Sequence, residues 1–170
     1  MRAMQAADAE AVLRIYQQGC DTGQATFAAS AGDWAAWDAG HLPQCRLIAE
    51  QGEAVEGWVA LSAVSARHVY RGVAEVSLYI DEAARGQGVG QALLEAAIAQ
   101  SEADGFWTLQ ALIFPENTAS LALFQKNGFR ILATHEKLGL MQHGPMAGHW
   151  RDVALLERRS EVAGHEAISQ

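Results

Sequence analysis

Residues 73–90 read VAEVSLYIDEAARGQGVG, and this stretch contains the transition that decides the fold. Its first eight residues alternate and end in a β-rich run, which predicts a strand over residues 73–80. From residue 89 to residue 104, apolar side chains recur at a spacing of four, which predicts a long helix that Gly105 ends. The glycine-rich residues 85–90 therefore connect a strand to a helix.

A glycine-rich connection at this position can bind phosphate. Glycine lets the backbone turn tightly and brings successive N–H groups close to a ligand, and the helix N-terminus adds unpaired amides. The stretch is not a Walker motif, because no Lys-Ser or Lys-Thr pair follows it. It also lacks the acidic residue about 20 positions on that a dinucleotide fingerprint requires. On these residues alone, a pyrophosphate cradle and a tight turn with close helix–sheet packing both remain open.

The rest of the chain continues the alternation of helices and strands. Predicted helices cover residues 8–19, 33–41 and 118–127, and predicted strands cover residues 46–50, 54–64, 106–114, 129–136 and 150–157. This order predicts a single α/β domain with a mixed sheet, which we assign to residues 1–160. Residues 161–170 are a polar C-terminal tail, and fraying is expected from residue 159.

The composition limits the partners. Half of the 170 residues are apolar, and 12 basic against 20 acidic residues give a formal net charge of −8. Nucleic acid is therefore not expected as a partner, because its recognition needs a basic face. No apolar run approaches the roughly 20 residues needed to span a bilayer, and the first residues lack a signal-peptide pattern. We expect no membrane partner and a cytoplasmic location.

Two cysteines and three downstream histidines match no site pattern. Cys20 and Cys45 fit neither a disulfide framework nor a metal-binding spacing, and we expect them to be reduced, packed thiols. The spacing of His135, His143 and His149 likewise fits no metal motif, so no metal is predicted.

The glycine-rich connection and the helix that follows resemble a known superfamily. The pattern Arg-x-x-Gly-x-Gly at residues 85–90 is similar to the coenzyme A signature of the GNAT superfamily of N-acetyltransferases. Asn-x-x-Ser at residues 117–120 and Asn-Gly-Phe at residues 127–129 resemble the next element of that superfamily. The resemblance implies a single-domain α/β fold with a mixed, mostly antiparallel sheet, splayed central strands and flanking helices. It also implies acetyl-CoA as co-substrate.

In that superfamily the coenzyme enters the gap between the splayed strands. The resemblance implies that the pantetheine arm lies along the first of these strands and that the pyrophosphate lies on the amides of the glycine-rich connection. The residues assigned to the coenzyme in this way are Leu78, Tyr79, Ile80, Arg85, Gly86, Gln87, Gly88, Val89, Gly90, Gln91 and Asn117.

A narrower resemblance extends over nearly the whole chain. Residues 67–70, Arg-His-Val-Tyr, followed by Glu75 resemble an element of the phosphinothricin and methionine sulfoximine acetyltransferase branch. Residues 25–27, Ala-Thr-Phe, and residues 148–153, Gly-His-Trp-Arg-Asp-Val, resemble two further elements. The branch acetylates the α-amino group of small amino acids, several of them toxic, and its members are commonly dimers. A small amine substrate and a homodimer are therefore expected.

The implied reaction requires a base, because an ammonium must lose a proton before it attacks a thioester. Glu75 matches the general base of the branch, and partial burial would raise its pKa. By the same resemblance, Arg67 pairs with a substrate carboxylate, and Phe27 and Tyr70 wall the amino-acid pocket. The plainer interpretations are a solvated strand carboxylate, a surface arginine and ordinary packing aromatics.

One position departs from the superfamily pattern. Many members have Tyr or His on the helix after Asn117 at the position where this chain has Phe124, which cannot protonate a leaving thiolate. The acid therefore stays unassigned. Two other functions remain open: acetylation of a polyamine, an aminoglycoside or a protein N-terminus, and a non-catalytic coenzyme A-binding module.

Overall fold

The computed structural model describes residues 1–165, in which helices cover both faces of one sheet. The α-helices are α1 (Ala9–Asp21), α2 (Trp34–Gly40), α3 (Val89–Ala103) and α4 (Thr118–Lys126). The strands are β1 (Arg2–Ala3), β2 (Leu47–Gln51), β3 (Ala54–Ala63), β4 (Val73–Ile80), β5 (Thr108–Ile113), β6 (Arg130–Leu140) and β7 (Trp150–Arg159).

The sheet is mixed. Its seven strands follow the order β1-β2-β3-β4-β5-β7-β6, in which β4 and β5 are parallel and every other neighbouring pair is antiparallel. A parallel pair needs a crossover, and α3 supplies it between β4 and β5. The predicted α/β fold with a mostly antiparallel sheet is confirmed.

The two central strands separate part-way along their length. β4 and β5 are paired only from Val73 to Glu75 on the β4 side, and the last pair is Glu75 with Gln110. Beyond this pair, β4 stays bonded to β3 as far as Ile80, and β5 stays bonded to β7 as far as Ile113. The strands therefore splay, as the resemblance implies, and leave a cleft between them.

Two apolar clusters hold the helices on the sheet. On one face, α3 and α4 pack against β3, β4, β5 and β7, and on the other face, α1 and α2 pack against β2 and β3. The α3 side of the core contains Leu93, Leu94, Ala97, Ile98 and Phe124, and the α1 side contains Val12, Ile15, Trp37, Ile48 and Trp58. Each fully buried Leu, Ile or Val stabilises the fold by about 1.5–3 kcal/mol. The helices on both faces of the sheet are therefore firmly packed beside the cleft.

Most predicted boundaries hold within a few residues. The strand over residues 73–80 is confirmed, and the following helix ends one residue earlier than predicted. β6 is longer than predicted because its pairing with β7 continues to Leu140 with Trp150, and β7 extends to Arg159 because it pairs there with Thr108 of β5. A bulge between His135 and Gly139 interrupts the alternation of β6, which hides this part of the strand in the sequence.

The C-terminal segment is ordered further than the sequence predicts. Residue 159 ends β7, the Ser160 hydroxyl donates a hydrogen bond to Glu102, and Ala163 is buried. Fraying therefore does not begin at residue 159, because Trp107 and Glu102 anchor the chain there. The end of the predicted tail, residues 166–170, lies outside the described residues. Within residues 1–165, no helix is both long enough and apolar enough to cross a membrane.

Candidate active site

Glu75 lies where the central strands separate. It occupies the last paired position of β4, and the strand beyond it borders the cleft. The side chain is half-buried and lines a cavity of about 330 Å³, which we call the Glu75 cavity. Burial alone raises the pKa of Glu75 above its ordinary value. A carboxylate with a raised pKa in a cleft can accept a proton from a bound amine.

The Glu75 cavity passes between the splayed strands. Its walls come from α4 on one face of the sheet, through Ser120 and Phe124, and from α1 and a loop on the other face, through Tyr16 and Phe27. Among the residues in the described part of the chain that line it, Glu75 is the single charged side chain. The remaining walls are apolar or neutral, so the carboxylate dominates the local electrostatics.

The loop over the cavity is the roof segment, residues 22–27. Phe27 of this segment packs edge-on against Phe114, with ring centroids 5.0 Å apart. A Cβ at Gly139 would lie 2.7 Å from the Phe27 ring, so the glycine makes room for that ring. The backbone oxygen of Phe27 also lies 3.2 Å from Nε2 of His143. The aromatic side chain that the sequence leaves isolated is thus held as a wall of the cavity.

A second, larger cavity begins at the start of α3. The glycine-loop groove has a volume of about 660 Å³ and is named for residues 85–90, which form one end of it. Gly86 and Gly88 have φ of 75° and 85°, a left-handed conformation that favours glycine. Gly88 is the N-cap of α3, and no side chain caps the helix there. The amides of the first turn therefore remain available to an anion.

The groove and the Glu75 cavity share part of their walls. Both are lined by Ala25, Leu78, Tyr79, Asn117 and Ser120. A ligand whose phosphates lie on the glycine loop can therefore extend along β4 to Glu75. This arrangement fits acetyl-CoA, because the groove offers open amides at one end and a half-buried carboxylate near the other.

Asn117 joins the start of α4 to the roof segment. Its Oδ1 accepts a hydrogen bond from the Ser120 amide at 3.2 Å and so caps the helix. Its Nδ2 donates to the Gln24 backbone oxygen at 3.4 Å.

Nine of the predicted coenzyme residues line the groove, and two do not. The nine are Leu78, Tyr79, Ile80, Arg85, Gly86, Gly88, Gly90, Gln91 and Asn117. The Gln87 side chain instead donates to the Ala83 backbone oxygen at 2.8 Å, and the Val89 side chain packs against the α3 core. For these two residues the assignment to the coenzyme stays a prediction, and it concerns their backbone amides.

Arg67 and Tyr70 are not part of the walls of either cavity. They belong to the turn before β4, are exposed, and contact each other, with the Arg67 guanidinium 5.7 Å from the Tyr70 ring centroid. Neither residue lines the Glu75 cavity or the groove in one copy of the chain. Their assignment to the substrate therefore stays a prediction.

Two tyrosines in the site were not singled out as acceptor-site residues by the sequence. Tyr16 lies in α1, where its spacing indicates a core residue, and Tyr79 was assigned only to the coenzyme. Their rings are 4.9 Å apart, and burial raises the pKa of both phenols, so both stay neutral hydrogen-bond donors. The helical spacing of Tyr16 predicts a packed core residue and does not indicate that its ring lines the cavity.

The two cysteines line neither the Glu75 cavity nor the glycine-loop groove. Cys20 and Cys45 are free and buried, and burial raises the pKa of Cys45 to about 12. Thiols this hard to ionise are poor nucleophiles. Across residues 1–165, no group of three or more His, Cys, Asp or Glu side chains is placed to hold a metal ion.

Comparisons with known proteins identify the family of the chain. The sequence model of the acetyltransferase (GNAT) family matches residues 10–129. YwnH from Bacillus subtilis, which carries the provisional name of a phosphinothricin acetyltransferase, is 37% identical over 127 residues, covering 72% of this chain and 78% of that protein. An L-methionine sulfoximine/L-methionine sulfone acetyltransferase from Pseudomonas paraeruginosa is 33% identical over 88 residues, covering 52% of this chain and 48% of that protein.

A solved structure shares the fold over almost the full length. The crystal structure of a GNAT superfamily phosphinothricin acetyltransferase from Sinorhizobium meliloti, in complex with acetyl-CoA, has a TM-score of 0.84 and 27% sequence identity to this chain. The similarity covers 98% of this chain and 90% of that one.

Proposed function

Because the chain belongs to the acetyltransferase (GNAT) family and is an acetyl-CoA-dependent N-acetyltransferase, we propose that it acetylates the α-amino group of a small amino acid or a toxic analogue of the phosphinothricin or methionine sulfoximine type. The observation that carries the proposal is Glu75, a half-buried carboxylate in a cavity that continues into the glycine-loop groove. The names of the relatives support the acceptor class.

The groove residues would hold the co-substrate. When bound, acetyl-CoA supplies the activated acetyl group. The amides from Gly86 to Gln91 would bind its pyrophosphate, with Arg85 beside them, and Leu78 and Asn117 would contact the arm that leads to Glu75. Backbone amides and a helix N-terminus can bind an anion without a metal ion.

Glu75 accepts the proton that the acceptor ammonium must lose. An ordinary glutamate has a pKa of about 4.3 and is a weak base, whereas burial brings the pKa of Glu75 closer to that of an amine. Only the ionised carboxylate accepts a proton, so activity rises as pH increases through the pKa of Glu75. Phe124 has no proton to donate, and a thiol with a pKa of about 8.5 can leave as its anion without an acid.

Recognition of an acceptor carboxylate is assigned to Arg67. The Glu75 cavity has no cation among the residues described, so a carboxylate must be met from outside its walls. Arg67 is exposed and lies on the turn before β4. Glu75 lies on that strand, two residues after the strand begins. A guanidinium can bind a carboxylate through two parallel hydrogen bonds.

The same lining favours a second acceptor class. A cavity in which Glu75 is the single charged group among the described lining residues also suits a cationic amine without a carboxylate, such as a polyamine. In that case Arg67 would repel the substrate and would not bind it.

Thiol release from acetyl-CoA in the presence of a panel of amines tests these proposals. The panel contains amino acids, their sulfoximine, sulfone and phosphinic analogues, the matching decarboxylated amines, and spermidine. We expect the highest kcat/KM for a carboxylate-bearing acceptor, and an R67M variant should lower that preference about tenfold, the value of a lost charged hydrogen bond. R71M, in the same turn, is the matched control. A preference for spermidine would favour the second class, and no release with any amine would contradict the proposed function.

Exposed apolar side chains on β6 support the proposal of a homodimer. β6 is an edge strand with Ile131, Leu132, Leu138 and Leu140 exposed, and Leu140 pairs with Trp150 of β7, which is 58% exposed. A second copy is the occupant that we propose, because Leu138 also lines the Glu75 cavity and would place the two sites beside the interface. L132E should give a monomer by light scattering, whereas V162E, a distant exposed position, should not.

We also place the protein in the cytoplasm. Its two free, buried thiols are typical of a reducing compartment.

A further inference from the structure

Arg151 is a fully buried cation. It lies on β7 at the edge of the cleft and is 1% exposed. Its guanidinium donates hydrogen bonds to the Gly23 backbone oxygen at 2.9 Å, to Gln24 Oε1 at 2.7 Å and to Glu116 Oε2 at 3.1 Å. It also stacks over the Phe114 ring, 4.1 Å from the centroid. One side chain therefore connects three segments that are remote in sequence.

Stability alone does not account for a cation at this position. Removing an arginine from water is costly unless every donor is paired, and Arg151 Nε has no acceptor in the described structure. Its ionic partner Glu116 is more than half exposed, so water weakens the attraction between the two charges. Apolar residues of similar volume often stabilise such positions as well or better.

An arginine does provide hydrogen bonds of fixed geometry. Its planar fork holds two adjacent residues of the roof segment, Gly23 and Gln24, in a fixed relation to β7. Through Glu116 and Phe114 it also holds the residues that lead into the Asn117 cap of α4. Asn117 in turn donates to the Gln24 backbone oxygen, which closes a ring of contacts around the cleft.

We propose that Arg151 is a positioning residue that fixes the roof segment against the start of α4 and so sets the shape of the Glu75 cavity and of the glycine-loop groove. The inference rests on the proposed function, because the cavity must bind the acceptor for its shape to matter. The roof segment supplies Ala25, Thr26 and Phe27 to the cavity, and Gln24 to the groove. Arg151 itself lines neither, so its effect is transmitted through these residues.

A positioning role predicts a split between KM and kcat. Glu75 is carried by β4, which is paired with β3 from Ala74 to Ile80, independently of the roof segment. When the roof segment is released, substrate binding weakens while the base stays in place. R151M should therefore raise the acceptor KM about tenfold, the equivalent of one lost charged hydrogen bond, with kcat changed less than about threefold.

The matched control is R158M. Arg158 lies on the same strand and donates to Glu102 at 2.9 Å, remote from both cavities. Both variants should lower Tm, but R158M should leave the KM values unchanged. R151K, which keeps the charge but loses the planar fork, should recover only part of the loss. An unchanged acceptor KM in a folded R151M, or an equal rise in R158M, would overturn the proposal.

A second variant covers the case in which R151M fails to fold. Q24A removes one acceptor of the fork on a half-buried surface loop, and Gln24 does not line the Glu75 cavity. A rise in acceptor KM in Q24A supports the positioning role, and an unchanged value contradicts it. If the wild-type chain acetylates no amine, the proposed function fails. If the wild type is active and the variants keep its KM, only the role of Arg151 fails.

Discussion

The glycine loop and the roof segment border the same groove but take their shapes from different sources. The glycine loop is shaped by its own residues: two glycines in the left-handed region, the second of which is the N-cap of α3. The roof segment, residues 22–27, is held by Arg151, by Asn117 and by a contact with His143, all more than 90 positions away in sequence. The part that binds phosphate is thus encoded locally, and the part that shapes the acceptor cavity depends on tertiary contacts.

This difference separates the expected effects of substitutions. A change in the glycine loop should weaken acetyl-CoA binding and leave the acceptor site intact. A change at the contacts of the roof segment should alter acceptor binding and selectivity. A change at Glu75, which lines the acceptor cavity and lies away from the glycine-loop end of the groove, should affect the chemical step and leave acetyl-CoA binding intact.

The largest effect is expected for E75Q. The amide cannot accept the proton of the ammonium, and a general base contributes about 100-fold or more to the rate. We expect kcat/KM to fall at least about 100-fold, while acetyl-CoA binds with unchanged affinity by calorimetry. E53Q, in the exposed turn between β2 and β3, is the control and should behave as wild type. Wild-type turnover in E75Q would exclude Glu75 as the base.

The next largest effect is expected for G88A. Gly88 has φ of 85°, and a left-handed backbone costs a residue with a Cβ roughly 1–2 kcal/mol. Relief of this strain shifts the amides at the start of α3, so the KM for acetyl-CoA should rise about tenfold. The acceptor KM should stay within about twofold, since a Cβ added at Gly88 would meet no atom within 4 Å, including those of the roof segment.

G52A provides the matched control for that substitution. Gly52, in the turn between β2 and β3, has φ of 62°, and a Cβ added there, as at Gly88, would meet no atom within 4 Å. It should lose similar stability and keep both KM values. A KM for acetyl-CoA that is unchanged in G88A would mean that the groove does not depend on the glycine loop.

The same contrast explains what could be predicted from the sequence. The strand, the glycine loop and the helix of residues 73–104 carry local signals, namely alternation, glycine spacing and a period of four, and these elements are confirmed. The splayed sheet and the position of Glu75 followed from resemblance to a superfamily and not from any local pattern. The role of Arg151 had no local signal, because a single arginine in a strand is normally a surface residue. Its burial depends on three segments that meet only in the fold.

A smaller effect is expected for G139A, which tests the roof segment directly. The new methyl group would lie 2.7 Å from the Phe27 ring, and Phe114 blocks part of the space into which the ring could retreat. Overpacking of this kind costs about 1–3 kcal/mol if the neighbours stay in place. We therefore expect the Phe27 ring to relieve the contact by shifting into the cavity. Large acceptors should lose kcat/KM relative to small ones by about fivefold, with the KM for acetyl-CoA unchanged.

G40A is the control for that substitution. A Cβ at Gly40 meets no atom within 4 Å, and its backbone is not left-handed. It should leave the ratio between large and small acceptors as in wild type. If G139A leaves that ratio unchanged as well, the contact between Gly139 and Phe27 does not limit the cavity.

The smallest effect is expected for F124Y, on the α4 wall opposite the roof segment. Phe124 lines the Glu75 cavity and packs against Phe129, with ring centroids 4.9 Å apart, so the substitution adds a phenol to the cavity with little change of shape. A thiol with a pKa of about 8.5 leaves readily as its anion near neutral pH, so an added acid has little to contribute. We expect kcat to rise less than about threefold, whereas F129Y, whose ring lines neither cavity, should leave kcat unchanged. A missing general acid, once restored, would raise kcat about 100-fold or more. A gain of that size in F124Y would show that departure of the thiol limits the wild-type rate. It would also show that the chain lacks an acid that its chemistry needs.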